Sequence, residues 1–137
     1  MRAFIDTSSL IKKYIEETGS EEFGVLLESV SEIIVSPITV LELHSAIERR
    51  LRERTLKPSD ARWIEKEFMT DYDFFGLVEW NDELIGEGLR TIRKYQLRVL
   101  DAIQLSAALI SDTGLFVTSD RRLYQAARKE MANIRFI

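Results

Sequence analysis

Four acidic residues lie in otherwise apolar segments, where a carboxylate calls for an explanation. They are Asp6, Glu42, Asp101 and Asp120. The sequence contains a single histidine, His44, and no cysteine, so a multi-histidine or thiolate zinc site is excluded. Carboxylate oxygens favour a hard divalent cation, Mg²⁺ or Mn²⁺. If the fold brings the four carboxylates together, they predict a metal site built from oxygen ligands.

Each carboxylate also has an ordinary interpretation when it is considered alone. Asp6 and Asp120 follow short apolar segments, where an aspartate commonly caps a helix or a turn. The side chain of Glu42 could extend from its helix into solvent. Asp101 has Arg98 one turn earlier as a structural ion-pair partner, which would compensate the cost of burying its charge. The sequence favours a shared site because all four are present together.

The elements that must position these carboxylates alternate along the chain. Short apolar strands are predicted at 3–5, 33–35, 77–80, 115–118 and 134–137. Helical spacing of apolar residues fills the intervals between the strands. This pattern predicts an α/β fold, a three-layer α/β/α sandwich around a central, mainly parallel sheet of about five short strands. In such folds the site lies beyond the carboxyl ends of the strands, where three of the four carboxylates are expected.

Composition limits the function classes. With 137 residues, the chain is expected to form one domain over 1–137. The net charge of −4 argues against a wholly basic nucleic-acid binder, although a local basic patch is compatible with it. No apolar run approaches the length of a membrane span, and the start does not resemble a signal peptide. We therefore expect a cytoplasmic protein without membrane association.

Several enzyme classes lack their required motifs. The sequence has no GxxxxGK[ST] phosphate loop and no GxGxxG after the first strand. No second aspartate follows Asp6 at the position expected in an aspartyl-phosphate phosphatase. A phospho-acceptor domain remains an alternative, but it would need a lysine in the late loop where Arg121 lies. His44 is two residues from Glu42 on a predicted helix and points to a different face, so we interpret it as a surface or packing residue.

Four segments, taken in order, resemble the motifs of the PIN domain family. The segments are 4–12, 36–43, 100–108 and 116–123. Each motif is weak alone, but their order and spacing together are specific. Within the family, the chain resembles the VapC-like toxins of type II toxin–antitoxin pairs. Some relatives carry a further acidic residue just after the fourth motif, where this chain has Arg121 and Arg122. The number of metal ions therefore stays open.

The resemblance implies a Mg²⁺- or Mn²⁺-dependent endoribonuclease that cleaves RNA with a metal-activated water. We assign Asp6 and Asp101 as the principal metal ligands. Asp120 and Glu42 are further candidate ligands, and either could orient or deprotonate the attacking water. Supporting hydroxyls are expected beside these carboxylates, from Thr7, Ser8 and Thr118. A catalytically inactive PIN-like scaffold is the alternative function, which the presence of all four carboxylates disfavours.

The expected partners are RNA, a cognate antitoxin and a second copy of the chain in a homodimer. Candidate RNA contacts are Arg49, Arg50, Arg121 and Arg122, which could equally belong to solvated helix faces. A partner surface is predicted over 42–75, because that segment carries more aromatic and apolar residues than a core contact needs. The residues behind this prediction are Trp63, Ile64, Phe68, Tyr72, Phe74 and Phe75.

Overall fold

The computed structural model describes all residues, Met1–Ile137. Its helices and strands alternate as the sequence predicts. The elements are β1 (Arg2–Ile5), α1 (Thr7–Leu10), a 3₁₀ turn (Ile11–Lys13), α2 (Ser20–Leu27), β2 (Glu32–Val35), α3 (Thr39–Arg52), α4 (Pro58–Tyr72), β3 (Gly76–Leu77), α5 (Asp82–Tyr95), α6 (Val99–Ser111), β4 (Leu115–Thr118), α7 (Arg121–Ala127) and β5 (Ile134–Phe136). No helix is both long enough and apolar enough to cross a membrane.

The five strands form one sheet in the order β3-β2-β1-β4-β5, and every neighbouring pair is parallel. The central strand β1 lies between β2 and β4, with Phe4 opposite Ile34 on one side and Phe116 on the other. Because the strands are parallel, their carboxyl ends meet at one edge of the sheet. The residues that follow β1, β2 and β4 therefore lie near one another.

Side chains of β1 alternate between two apolar cores, one on each face of the sheet. Ala3 and Ile5 pack with residues of α1 to α4, whereas Phe4 packs with residues of α5 to α7. Phe4 and Phe116 meet edge to face, with ring centroids 5.7 Å apart. Both faces are covered by helices, which confirms the predicted three-layer α/β/α sandwich.

The third strand is shorter than the sequence predicts. We expected a strand at 77–80, but β3 consists of Gly76–Leu77 only. The Val78 N–H still donates to the Val35 carbonyl oxygen, at a donor–acceptor distance of 3.0 Å, before the chain turns away. Trp80 is exposed beyond this point. The strand ends early because it is at the sheet edge, where no further strand fixes its outer side.

The predicted partner surface over 42–75 divides between core and surface. Ile64 and Phe68 are buried in the core on the α1–α4 side, and Tyr72 and Phe75 pack against Phe68. Trp63 and Phe74 are the large aromatic side chains that remain exposed, as is shown by exposed fractions of 58% and 81%. Most of the aromatic residues in this segment therefore form core, which removes much of the basis for that prediction.

Candidate functional site

Asp6 is the first residue beyond β1 and is almost fully buried. It occupies the N-cap position of α1, but its side chain caps no backbone N–H. Instead its Oδ2 accepts hydrogen bonds from the Ser8 hydroxyl at 2.5 Å and the Thr118 hydroxyl at 2.8 Å. Oδ1 accepts none from the protein. The ordinary capping interpretation of Asp6 therefore does not hold for its side chain.

Glu42 lies in the first turn of α3, which follows β2. Its Oε1 accepts hydrogen bonds from the Thr7 hydroxyl at 2.9 Å and from the Gln104 Nε2 at 2.5 Å. Its Oε2 accepts none from the protein. Side chains from two other elements, α1 and α6, therefore donate to one oxygen of Glu42, which fixes the carboxylate and leaves the other oxygen available.

Asp120 precedes α7, and here the capping interpretation is correct. Its Oδ1 accepts a hydrogen bond from the Leu123 N–H at 2.9 Å. Its own backbone N–H donates to the Thr118 hydroxyl at 3.0 Å. Since that hydroxyl donates in turn to Asp6, Thr118 links the two aspartates that follow β1 and β4. Oδ2 of Asp120 remains without a protein donor.

Asp101 is half-buried in the first turn of α6 and makes no hydrogen bond or ion pair within the protein. The alternative in which Asp101 is the ion-pair partner of Arg98 is therefore not found. Arg98 and Arg122 act on it only at longer range, where their positive charges lower its pKa. Both oxygens of Asp101 are unused by the fold.

Burial is the main cause that raises the pKa of Asp6, from its ordinary value of 3.8 to about 6. The hydrogen bonds from Ser8 and Thr118 act in the opposite direction, because they stabilise the ionised form. The negative charges of Glu42 and Asp120 raise the pKa further. Asp6 is thus a carboxylate whose charge is poorly compensated by the protein alone.

The pKa values of Glu42 and Asp101 are raised as well, in both cases mainly by burial. For Glu42, the hydrogen bonds from Gln104 and Thr7 lower the pKa, and the charge of Asp101 raises it. For Asp101, the charge of Asp120 raises it. The four carboxylates therefore lie close enough to repel one another, as expected if they share a site.

The free oxygens of these carboxylates all reach solvent. Only one side-chain polar atom in the structure is both fully buried and without a hydrogen-bond partner, the Oε1 of Gln104. The oxygens without protein donors are Asp6 Oδ1, Glu42 Oε2, Asp120 Oδ2 and both oxygens of Asp101. Three carboxylates are thus held by one oxygen and present the other, which is how ligands to a cation are commonly oriented.

A hydroxyl network joins the segment after β1 to the segment after β4. The Ser119 N–H donates to the Ser8 hydroxyl at 2.9 Å, and the hydroxyls of Ser9 and Ser119 are 2.7 Å apart. Thr7 and Ser8 were expected as supporting residues, as was Thr118, and each contacts an expected carboxylate. The sequence did not single out Ser9, Ser119 or Gln104, because a serine or glutamine carries no pattern that shows which distant group it will contact.

The four candidate RNA-binding arginines differ in their surroundings. Arg49 is exposed beside Glu42 and makes no ion pair. Arg50 donates to Glu17 at 2.8 Å, so part of its charge is already compensated. The Arg121 guanidinium lies over the Phe136 ring, 4.9 Å from its centroid. Arg122 makes no ion pair, and its positive charge lowers the pKa of Asp101.

A cleft opens beside Glu42, on the surface between α1 and α3. Its walls are partly apolar and include Leu41 and Leu100, which are exposed although each directly precedes a site carboxylate in sequence. The remaining lining residues are Thr7, Ser8, Ile11, Ile38, Ser45, Ala46, Arg49 and Arg50. Of the four carboxylates, Glu42 is the one that lines this cleft, so the cleft meets the candidate site at Glu42.

His44 takes no part in this arrangement. Its Nδ1 lies 2.8 Å from the carbonyl oxygen of Val40, one turn earlier on the same helix. Its ring packs edge to face against Phe68, with centroids 6.3 Å apart. This is the packing role that the sequence analysis predicted.

The donor set fits a small, hard divalent cation held partly through water. The structure contains no group of three or more acidic or histidine side chains arranged to ligate one ion directly. Mg²⁺ is commonly held by only one or two carboxylates, because it retains several of its waters. Oxygen atoms that are oriented, accessible and unused by the fold, on carboxylates with raised pKa values, are consistent with that mode of binding.

Known structures share this fold at low sequence identity. A chain of VapBC2 from Rickettsia felis, bound to a promoter DNA fragment, matches with a TM-score of 0.70 and 10% identity over 100% of this chain and 99% of its own. PAE2754 from Pyrobaculum aerophilum matches with a TM-score of 0.70 and 19% identity, over 93% of this chain and 89% of its own. A toxin–antitoxin complex from Klebsiella pneumoniae matches with a TM-score of 0.63 and 17% identity, over 86% of each chain.

No curated protein matches the sequence significantly. The model of the PIN domain family, however, matches residues 3–129, which is most of the chain. That range contains all four carboxylates and the strands that carry them. The chain therefore belongs to the PIN domain family.

Proposed function

We propose that this protein is a Mg²⁺- or Mn²⁺-dependent endoribonuclease and the toxin component of a toxin–antitoxin pair. PIN domains are generally nucleases, which supports the class of reaction. The observation that carries the proposal is the set of accessible carboxylate oxygens that the fold orients but does not use. A scaffold without catalysis has no need to hold three carboxylates by one oxygen each and to leave the other oxygen free.

Asp6 and Asp101 are the proposed principal ligands of the cation, with Asp120 and Glu42 contributing directly or through water. When bound, the cation neutralises charge on the phosphodiester and activates a water molecule. Glu42 and Asp120 each present a free oxygen that can orient the attacking water or accept its proton. Thr118 keeps Asp6 and Asp120 in a fixed relation, because its hydroxyl bonds to both residues.

The proposed RNA surface is the cleft beside Glu42 together with the positive side chains around it. Arg49 and Arg122 are the proposed phosphate contacts, because neither is engaged in an ion pair. Arg50 and Arg121 are expected to contribute less, since one is paired with Glu17 and the other lies over an aromatic ring. The protein is expected to act in the cytoplasm.

The proposed protein partners are a cognate antitoxin and a second copy of the chain. The similar structure from Klebsiella pneumoniae is a toxin–antitoxin complex, and the one from Rickettsia felis is VapBC2 bound to promoter DNA, which supports the antitoxin proposal. Co-expression with the product of the adjacent reading frame, followed by light scattering, tests both partners. A strict monomer whose size does not change on addition of that product would contradict them.

The decisive test of the proposed activity is cleavage of structured RNA with Mg²⁺, with Mn²⁺ and with EDTA. We expect cleavage that requires the cation and falls by about 100-fold or more in Asp6→Asn and Asp101→Asn, since loss of a charged ligand removes several kcal/mol of transition-state stabilisation. Asp112→Asn is the matched control, because Asp112 is exposed and lies at the C-terminal end of α6, whereas Asp101 lies in the first turn of that helix. Equal cleavage by all proteins would indicate a contaminating ribonuclease. No cleavage by any would favour the inactive scaffold.

A further inference from the structure

Gln104 lies one turn after Asp101 on α6, and only 1% of its surface is exposed. Its Nε2 donates to the Thr7 hydroxyl at 3.1 Å and to the Glu42 Oε1 at 2.5 Å. The Thr7 hydroxyl donates to the same Glu42 oxygen at 2.9 Å. The three side chains form a closed triangle that connects the segment after β1 with α3 and α6.

The other end of the Gln104 carboxamide makes no contact with a donor. Its Oε1 is the one fully buried side-chain polar atom without a hydrogen-bond partner. A buried acceptor without a partner opposes folding, and a methionine or leucine of similar volume would not carry that cost. Packing alone therefore does not account for a glutamine at this position, whereas the two hydrogen bonds of its amide nitrogen do.

An amide suits this position better than a charged donor would. It supplies two N–H groups without adding a charge of either sign beside carboxylates that already repel one another. A lysine ammonium would instead compensate the charge of Glu42 and compete with a bound cation. The amide holds Oε1 while the carboxylate as a whole keeps its affinity for a positive ligand.

We propose that Gln104 is a positioning residue that fixes Glu42 by Oε1 and so presents Oε2 to the cation site. The part of this inference that concerns the cation rests on the proposed function. The restraint on Glu42 itself does not, because it exists in the metal-free protein. The two parts can therefore fail separately.

The metal-dependent test is a double-mutant cycle read by Mn²⁺ affinity in calorimetry. Gln104→Met keeps the length and volume of the side chain but has no donors, and we expect it to weaken Mn²⁺ binding by about tenfold. In a Glu42→Ala background the same substitution should have no further effect. Gln125→Met, at an exposed position of α7, is the control and should bind Mn²⁺ as the wild type does.

The metal-independent test leaves Gln104 intact and records its carboxamide signals by NMR in EDTA. We expect slow exchange of the side-chain N–H₂ with solvent, because the group is buried and doubly hydrogen-bonded. Glu42→Ala should shift these signals and speed their exchange, whereas Glu28→Gln, an exposed control, should not.

The outcomes separate the two proposals. Equal weakening by Gln104→Met in both backgrounds, or none in either, would overturn the positioning role. Gln104 signals that do not respond to Glu42→Ala would overturn the restraint itself. A wild type that binds no Mn²⁺ while its Gln104 signals respond to Glu42→Ala would overturn the proposed metal-dependent function and confirm the restraint.

Discussion

Asp6 and Glu130 are both held by several donors, yet the fold treats their charges in opposite ways. Asp6 is buried, receives only neutral hydroxyl donors and lies near other carboxylates, so its pKa is raised to about 6. Glu130 accepts hydrogen bonds from Arg90, Lys94 and Tyr95. These donors lower the pKa of Glu130 to about 2, and the hydrogen bond from Arg90 is the largest cause.

The difference shows which carboxylate serves the fold and which is available to a ligand. Glu130 is already neutralised by cations from α5, so it fastens that helix to the segment after α7. Asp6 has no positive partner within the protein, so its charge is available to a cationic ligand. Raised and lowered pKa values therefore distinguish a candidate site from a structural clamp.

The largest expected effect is on the pH dependence of the metal-free protein. A carboxyl whose pKa is raised in the folded state favours folding below its unfolded pKa, and this contribution is lost as the pH rises through the folded value. For Asp6 the loss falls between about pH 4 and pH 6 and amounts to at most about 3 kcal/mol. Urea unfolding in EDTA should show this decline in the wild type.

The same experiment on Asp6→Asn sharpens the comparison. The amide cannot ionise, so the part of the decline between about pH 4 and pH 6 that is due to this residue should disappear, and the variant should be the more stable protein at neutral pH. A variant that declines as steeply as the wild type would show that Asp6 does not carry an uncompensated charge.

Removal of the charge of Glu130 should lower the stability at neutral pH, whereas removal of the charge of Asp6 should raise it. Glu130→Gln loses ion pairs with Arg90 and Lys94, and we expect about 1–2 kcal/mol lower stability at neutral pH without loss of cleavage activity. Thermal denaturation and the RNA cleavage assay measure the two quantities. Glu28→Gln is the control, because Glu28 is exposed and unpaired. A loss of cleavage in a folded Glu130→Gln would contradict the division between clamp and site.

Added cation should stabilise only through the site. At a free Mg²⁺ concentration of about ten times the dissociation constant, linkage predicts about 1.4 kcal/mol, or an increase in Tm of about 4–6 °C for a domain of this size. The increase should persist in Glu130→Gln and shrink in Asp101→Asn. If the Tm of the wild type does not increase with Mg²⁺ or Mn²⁺ at roughly tens of millimolar, the carboxylates do not bind the cation.

The smallest expected effect compares two exposed arginines of α3. Arg49 lines the cleft, whereas Arg52 lies one turn further along and does not. The affinity of the Asp6→Asn protein for uncleaved RNA is measured over a series of salt concentrations. When Arg49→Ala is added, the slope of log affinity against log salt concentration should become smaller in magnitude by about one. Arg52→Ala should retain the slope. Equal losses would indicate that the cleft is not the RNA surface.

The sequence alone determined the architecture and singled out the four carboxylates of the candidate site. Strand and helix periodicity is a local property, so the order of elements and the three-layer sandwich followed from it. The short β3 was overestimated, because pairing at a sheet edge depends on neighbours that a local pattern does not contain. The positions of Asp6 and Asp120 after strands were predictable because parallel strands place their carboxyl ends together.

Only the tertiary structure decided how the charges are used. Gln104 contacts Glu42 across 62 positions of sequence, and Thr118 contacts Asp6 across 112. Such contacts depend on the packing of whole elements, and no local pattern specifies them. The same holds for the absence of an Asp101–Arg98 ion pair and for the neutralisation of Glu130. Sequence fixes which side chains can ionise, but burial and distant donors decide which of them remain available to a ligand.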